Sequence, residues 1–402
     1  MINYRRLPGD RTILTIFLAV LLASVVLKVI YLKASNVLPL GSDAPGFVEH
    51  AANMTNFYGT SVREPFWILW VKCCAGIFPR PATGMRAGSI FLFSASSVVL
   101  FLILRMTIGN LPALAGSSFY LFIPYMFFSH IRAHRLELYL FLLLLFCFFI
   151  LFGMSVSFGD SIPGKFTNPL ITGVIGAALL LTRVESLLFF SAGILWFLFF
   201  SKLILKEKII RAAIVFAVSL VLSCPFFINC RKDEGSFFYV LNVHSRFWDS
   251  HEHAGQPGFR SPENVLKDPY TGRDMSVAKY IFRDRGAGEI FFRFFRGYYR
   301  ALTGYSPHFL STPVNLRFLI YPVWLGLLLM FFAAKTRVLL FWGLLFILPH
   351  SFILNLHVVG QPSVDIRFAA CSVPLLAFAF GTLFYFILLL TKKVKMFNIL
   401  MR

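Results

Sequence analysis

Apolar runs of about 20 residues alternate with short polar segments along most of the chain. A helix of this length matches the hydrocarbon core of a bilayer, and the recurrence of such runs predicts an all-α polytopic membrane protein. We predict about ten transmembrane helices. Their predicted bounds are 12–32, 87–104, 111–129, 137–153, 168–182, 187–201, 211–229, 317–334, 338–356 and 368–390.

One further apolar segment, residues 66–78, is short for a span and carries Lys72 in its middle. We interpret it as a helix that lies in the membrane interface. Basic residues support this interpretation, because an extra span would move the basic segments 202–211 and 392–395 to the outer side, against the positive-inside bias. Both termini are therefore predicted to be cytoplasmic.

This topology divides the chain into three units. Residues 1–229 form an N-terminal transmembrane module with a first outer loop at 33–85, residues 230–315 form a long outer polar loop, and residues 316–402 form the C-terminal transmembrane helices. The long loop is predicted to end in an amphipathic helix. Its arginines Arg293, Arg296 and Arg300 share one face, and the residues predicted to enter the bilayer edge are Phe291, Phe294, Phe295 and Tyr298.

Composition excludes a soluble domain, because 58% of the 402 residues are hydrophobic. The net charge of +20 divides between cytoplasmic loops and the outer polar segments. Cytoplasmic Lys and Arg are expected of any membrane protein, whereas outer basic residues need another partner, such as an anionic lipid or a phosphate. The spacing of the six cysteines indicates neither a disulfide framework nor a zinc site.

The first outer polar segment, residues 40–65, carries candidate chemistry at both ends. Asp43 precedes a short amphipathic pattern, where it is either a helix N-cap or a general base that takes a proton from an acceptor hydroxyl. Arg63 and Glu64 close the segment before Pro65. They form either a simple surface pair or a substrate site, in which Glu64 contacts sugar hydroxyls and Arg63 a phosphate.

A short outer loop with the sequence SHIRAHRLE is dense in potential cations, including Arg132, His134 and Arg135. Four potential cations in nine residues on the outer face suggest an anionic ligand, for which phosphate is the natural candidate. Glu137 begins the next span. The helix dipole alone favours an acid at this position, and that is the plain explanation of Glu137.

Two later membrane boundaries place an arginine beside an acid: Arg183 with Glu185, and Asp365 with Arg367. In each pair the acid would hold the arginine in one orientation. The alternative for the first pair is a simple hairpin turn, in which Arg183 and Glu185 extend toward the membrane surface or pair with each other. The long loop also carries three histidines that either bind metal or are solvated. These are His244, His251 and His253.

The motifs described above resemble those of polyprenyl-phosphate-dependent glycosyltransferases of the type C membrane fold (GT-C). Within this class, the chain resembles bacterial protein O-mannosyltransferase-like enzymes and the lipid A aminoarabinose transferases. The resemblance covers the layout of nearly the whole chain. Its motifs are an acid in the first loop, RLELYLF after the short loop, LLLTRVESLLFF after the fifth span, and Arg367-Phe368 before Pro374 in the last. The chain departs from the pattern at Glu137, where Asp is common, and at Phe368, where Tyr is common.

The resemblance implies that Asp43 activates the acceptor and Glu137 supports it, while Arg183 and Arg367 hold the donor phosphate. Further donor-phosphate contacts are assigned to Arg132, Arg135 and Lys72, and substrate contacts to Arg63, Glu64, His134, Glu185 and Asp365. No cofactor is required, although a divalent metal between Asp43 and Glu137 is compatible with the two acids. The expected partners are a polyprenyl-phosphate sugar donor, an acceptor hydroxyl on a glycan, lipid or protein, and membrane lipids. The expected location is a bacterial inner membrane, with the site on the periplasmic face.

Three other functions remain open from the sequence. A transporter or flippase for lipid-linked glycans would typically carry internal repeats and charges at mid-membrane. A glycan polymerase or ligase would share the basic outer face and use a lipid-pyrophosphate donor. A noncatalytic assembly subunit needs no site at all.

Overall fold

The computed structural model describes residues 10–34, 44–59, 63–126, 129, 135–154, 162–252, 276–282, 285–311, 314–355 and 366–400. Every regular element within these ranges is a helix. The predicted all-α fold class is therefore confirmed.

The N-terminal part contains nine helices in the described ranges. These are α1 (Asp10–Ala34), α2 (Ala44–Asn53), α3 (Pro65–Ile77), α4 (Pro81–Ile108), α5 (Asn110–Leu121), α6 (Leu136–Phe148), α7 (Ile162–Leu180), α8 (Leu187–Phe200) and α9 (Leu205–Glu234). The remaining described helices are α10 (Tyr239–Glu252), α11 (Val277–Phe282), α12 (Ala287–Tyr299), α13 (Ser306–Phe309), α14 (Ile320–Leu329), α15 (Ala334–Ser351), α16 (Ile366–Ala369) and α17 (Val373–Leu400).

Several helix boundaries follow directly from proline and glycine. Pro65 and Pro81 occupy the first turns of α3 and α4, where a residue without an N–H costs nothing. Gly109 separates α4 from α5 with a φ of +98°, which glycine adopts without the strain that a Cβ atom would cause. The predicted interfacial segment is indeed a 13-residue helix, α3.

Five helices in the described ranges are long and apolar enough to cross a membrane. These are Arg11–Ala34, Pro81–Ile108, Leu136–Gly153, Leu205–Glu234 and Ile366–Lys392. A sixth crossing comes from Arg317–Leu329 and Ala334–Ser351 if they form one broken span, since they turn by 116° at the break between them. Shorter apolar helices occupy Phe166–Leu180 and Val184–Phe200. The integral membrane class is clear, while the count of ten spans stays a prediction.

At the centre of the bundle α17 packs between α5 and α14, and glycine residues allow close contact between α5 and α17. A Cβ atom at Gly116 of α5 would come within 2.7 Å of the Ala377 carbonyl oxygen, and one at Gly381 of α17 within 2.9 Å of the Pro112 carbonyl oxygen. Glycine at both positions lets the two backbones approach, as is common between membrane helices.

The described helices of the long polar loop are joined by an ionic cluster. Glu252 at the end of α10 accepts hydrogen bonds from Arg285, at 2.8 Å, and from Arg293 of α12. Its other bond, 3.1 Å long, comes from the Tyr280 hydroxyl of α11. Burial of Glu252 opposes its ionisation, but the two arginines outweigh this effect and lower its pKa. One carboxylate therefore connects three helices of the loop.

The aromatic face of α12 differs from the prediction. Phe294 packs against Phe352, with ring centroids 5.5 Å apart, and the Tyr298 hydroxyl donates to the Leu344 carbonyl at 3.1 Å. Gly297 lies on the same face in contact with the Ser351 backbone. This small residue lets that face pack on α15, so Phe294 and Tyr298 do not face the bilayer edge. The exposed aromatic residues of α12 are Phe291, Phe292, Phe295 and Tyr299.

Candidate active site

A break between α7 and α8 carries Arg183 and Glu185. Arg183 is extended, with φ −152° and ψ 116°, and the 3-10 turn Val184–Ser186 follows it. The Ser186 hydroxyl donates to the Arg183 carbonyl at 2.6 Å, and the Thr182 hydroxyl donates to the Ala178 carbonyl at 2.7 Å. At the break, these side-chain hydroxyls bond carbonyl groups that regular helical backbone hydrogen bonds would otherwise occupy. The break therefore has a defined geometry, and both charged side chains lie inside the protein.

The Arg183 guanidinium is enclosed by rings. Its Nη1 lies 2.9 Å from Nε2 of His350 on α15, and its central carbon lies 5.4 Å from the Tyr139 ring centroid and 5.0 Å from that of Phe368. A guanidinium only donates, so His350 Nε2 accepts and the imidazole proton is on Nδ1. Two cation–π contacts and one hydrogen bond thus hold this arginine in a buried position.

A second group of charges connects the first loop, the short loop and the long loop. Arg135 Nη1 donates to Glu64 Oε2 at 2.7 Å, and its Nη2 lies 3.5 Å from His244 Nε2. His244 Nδ1 lies 3.0 Å from Glu185 Oε1. Four side chains that are far apart in sequence therefore form one continuous chain of polar contacts.

Glu185 is buried at the junction of the two groups. Burial opposes its ionisation, but Arg183 and His244 outweigh this effect, so the pKa of Glu185 lies well below its ordinary value. The Glu185 carboxylate offsets the charge of Arg183 electrostatically, while its hydrogen-bond contact is with His244.

Glu137 is the second residue of α6 and is fully buried. Its Oε1 accepts a 2.7 Å hydrogen bond from the Ser129 hydroxyl. The amino-terminal end of a helix stabilises a carboxylate, and Tyr139, one of the rings around Arg183, follows two residues later on the same helix. Glu137 is therefore a buried carboxylate at the start of the helix that also carries Tyr139.

Several buried polar atoms around Arg183 have no hydrogen-bond partner among the described residues. Three of them are donors: Arg183 Nε, the Tyr139 hydroxyl and His350 Nδ1. Glu185 Oε2, an acceptor, likewise has no hydrogen-bond partner among the described residues. Buried polar groups are normally bonded, so a ligand with several acceptor oxygens would satisfy the donors of this cluster. We call Arg183, Tyr139 and His350 the donor triad.

The structure brings four predicted site residues together, namely Glu64, Arg135, Arg183 and Glu185. Arg63 is next to Glu64 in the chain, and Arg367 is next to Phe368, whose ring contacts Arg183. Lys72 instead donates to the Met54 carbonyl at 2.6 Å, just beyond α2. The other predicted site residues, Asp43, Arg132, His134 and Asp365, lie outside the described ranges.

His350 was not predicted from the sequence, and His244 was expected either to bind metal or to be solvated. A lone ionisable residue in the apolar run LLFILPHSFIL was the available signal for His350. His244 pairs with Glu185 instead. Within the described part of the chain, no group of three His, Cys, Asp or Glu side chains could hold a metal ion. The metal expectation for Asp43 and Glu137 stays a prediction, since Asp43 is not described.

No known family profile matches this chain, and no curated protein matches it. Among the solved structures that match its fold, two superpose with a TM-score above 0.5. The apo crystal structure of the Archaeoglobus fulgidus oligosaccharyltransferase superposes with a TM-score of 0.55 at 12% identity, covering 96% of this chain and 51% of that one.

The second structure is archaeal oligosaccharyltransferase AglB from the same organism, in complex with an inhibitory peptide and a dolichol-phosphate. It gives a TM-score of 0.54 at 12% identity and the same coverage. The chain thus spans about half the length of the solved proteins it matches. Its helical membrane architecture is the GT-C fold.

Proposed function

We propose that this chain is a membrane glycosyltransferase that moves a sugar from a polyprenyl-phosphate donor to an acceptor hydroxyl on the outer membrane face. The observation that carries the proposal is the donor triad in a GT-C fold, in which a buried arginine lies beside donors that have no partner among the described residues. A matching solved structure holds a dolichol-phosphate, which is a lipid phosphate of the same chemical kind.

The donor triad is suited to a phosphate at the membrane boundary. Arg183 offers Nε, while Tyr139 and His350 offer one further donor each. Charge-assisted hydrogen bonds from a guanidinium to phosphate oxygens are among the strongest in proteins. In this proposal Arg367 adds a second positive charge from the start of α16, and Arg132, Arg135 and Lys72 add to the positive potential around the site.

The proposed reaction is a single inverting displacement. The acceptor oxygen attacks the anomeric carbon, its proton passes to the Asp43 carboxylate, and the bond from the anomeric carbon to the phosphate oxygen breaks. The electron pair of that bond remains on the departing polyprenyl phosphate, so negative charge develops next to Arg183. Stabilising charge that appears only in the transition state accelerates the chemical step.

The acids are proposed to divide the remaining roles. Glu137, buried at the start of α6, supports Asp43 at the acceptor side. Glu64 and Glu185, both held by basic partners, fix the positions of Arg135 and Arg183; Arg63, His134 and Asp365 contact the sugar or the acceptor. The bacterial inner membrane is the proposed location, with both termini cytoplasmic.

A second candidate is transfer of a whole glycan from a lipid-pyrophosphate carrier. The observation that favours it is the fold match to oligosaccharyltransferases, one of them solved with a peptide bound. Either donor would use its phosphate oxygens to satisfy the same buried donors, so the two candidates differ in the carrier and the size of the transferred unit.

A transfer assay with the purified chain in lipid nanodiscs tests the proposal. Radiolabelled sugars are presented on polyprenyl phosphate and on polyprenyl pyrophosphate, with lipid, glycan and peptide acceptors. We expect transfer from the monophosphate donor, abolished in Asp43→Asn and retained in Glu49→Gln, an exposed acid of α2. Transfer from the pyrophosphate carrier alone would favour the second candidate. Wild-type rates in Asp43→Asn would refute the assignment of the base.

A further inference from the structure

An apolar groove of about 680 Å³ runs along the outside of the bundle between α5, α17 and the segment that leads into α14. Its lining side chains include Leu111, Phe122, Leu316, Leu319, Phe384 and Leu388. Ser118 is the one polar residue among them. Since the groove lies between helices of a membrane protein, apolar chains are the ligands that its surface accepts.

The floor of the groove is built by tight helix packing. Gly116 and Gly381 allow α5 and α17 to approach at the backbone level. Beside this contact the rings of Phe119 and Phe380 are stacked, with centroids 4.6 Å apart. Both rings also line the groove. A shape fixed by backbone contact and ring stacking is formed before a ligand arrives, which lowers the ordering cost of binding.

The groove is on the opposite side of α17 from the donor triad. Leu375 contacts Gly343 of α15, and the Phe378 ring lies 6.1 Å from the Phe346 ring of the same helix. His350 is also on α15. With 3.6 residues per turn, Phe384 is rotated by about 180° from Leu375. The body of α17 therefore separates the groove from the site proposed for the donor phosphate.

The length of the groove matches one lipid chain. Residues Leu111 and Phe119 both line it, and the helical rise of 1.5 Å per residue places them about 12 Å apart along α5. Half of a bilayer's hydrocarbon core is about 15 Å thick. A chain held along this groove would thus extend through most of one leaflet.

One exposed cation stands next to the lining residues of the α14 end. Arg317 lies between Leu316 and Leu319 in sequence, with its Nη2 3.4 Å from the Ser311 hydroxyl. A basic residue at the membrane boundary attracts an anionic headgroup. The positive charge of Arg317 and the apolar groove beside it together fit a lipid that has a negative headgroup and a straight apolar chain.

We propose that this groove binds one acyl chain of an acidic glycerophospholipid, with its headgroup at Arg317. The site is separate from the donor site and does not depend on the proposed function.

Native mass spectrometry of the detergent-solubilised full chain tests the proposal, with phosphatidylglycerol and phosphatidylcholine as probes. Ala115→Phe fills the groove from α5, and Ala217→Phe adds the same bulk to an exposed position of α9. We expect one phosphatidylglycerol to bind at low lipid ratios, at least tenfold more weakly in Ala115→Phe and unchanged in Ala217→Phe. Arg317→Ala should remove the preference over phosphatidylcholine.

A second measurement leaves the groove open. In Phe384→Trp, phosphatidylglycerol with brominated acyl chains should quench the new tryptophan fluorescence, and unlabelled phosphatidylglycerol should reverse the quenching. Equal phosphatidylglycerol binding in Ala115→Phe and the wild type would overturn the proposal. So would reversal of the quenching by polyprenyl phosphate but not by phosphatidylglycerol, because the groove would then belong to the donor lipid.

Discussion

Replacing Arg183 tests the proposed stabilisation of the leaving phosphate. Arg183→Lys keeps the positive charge but removes the planar fork of donors and weakens the stacking on Tyr139 and Phe368. Loss of one preorganised donor of this kind typically costs about 2.7–4 kcal/mol of barrier, a rate loss of roughly 100- to 1000-fold. We expect a decrease in kcat of that order.

Stability has to be separated from catalysis in this experiment, because losing the buried hydrogen bond from Arg183 to His350 also destabilises the fold, by about 1–3 kcal/mol. Arg211→Lys is the matched control. Arg211 is as buried as Arg183, but it donates to the Met154 carbonyl at the end of the π turn after α6, and it makes no described contact with the donor triad.

The assay measures kcat and KM for the donor on the folded fraction, which size-exclusion chromatography isolates. Arg211→Lys is expected to lower the melting temperature and to leave kcat within about twofold. A kcat for Arg183→Lys within threefold of the wild type would refute the assigned role. A loss equal to that of the Arg211 variant would show that only stability had changed.

Three further predictions concern other contacts. His350→Phe keeps the ring packing but removes the acceptor for Arg183, so the donor KM should rise by about 10- to 100-fold, the value of one charged hydrogen bond, with a smaller change in kcat. Gly297→Ala places a methyl group against the Ser351 backbone and should cost about 1–3 kcal/mol of stability, whereas Gly288→Ala on the same helix has open space and should leave the melting temperature unchanged. The lowered pKa of Glu252 means that its contribution to stability is present above its unfolded pKa of about 4.3 and is lost as the pH falls through the folded value, so Glu252→Gln should reduce the loss of thermal stability between pH 6 and pH 3.

Position along the chain was enough to predict that several charged residues lie together in the candidate site. Glu64, Arg135 and Glu185 each follow or precede an apolar segment on the predicted outer side, and outer helix ends of one bundle lie at a common depth. Their convergence could be expected for that reason. Which side chain pairs with which could not be predicted, because the pairing depends on the rotation of each helix about its axis, and the apolar pattern does not determine that rotation.

The helix α12 shows this limit most clearly. Its aromatic residues form one broad face opposite the arginines, and the apolar pattern does not say which part of that face packs inside the protein. The packing surface is decided by Gly297, whose missing side chain allows contact with α15 and carries Phe294 and Tyr298 inward. His350 was missed for a related reason, since its partner Arg183 is 167 residues away and nothing local in the sequence connects them.

The central claim is that a lipid phosphate binds at the donor triad. Cryo-electron microscopy of the chain in nanodiscs with polyprenyl phosphate tests it most directly. We predict phosphate density within about 3 Å of Arg183 Nε and the Tyr139 hydroxyl. Density for the phosphate at another place, with the donor triad unchanged from its apo arrangement, would contradict the account.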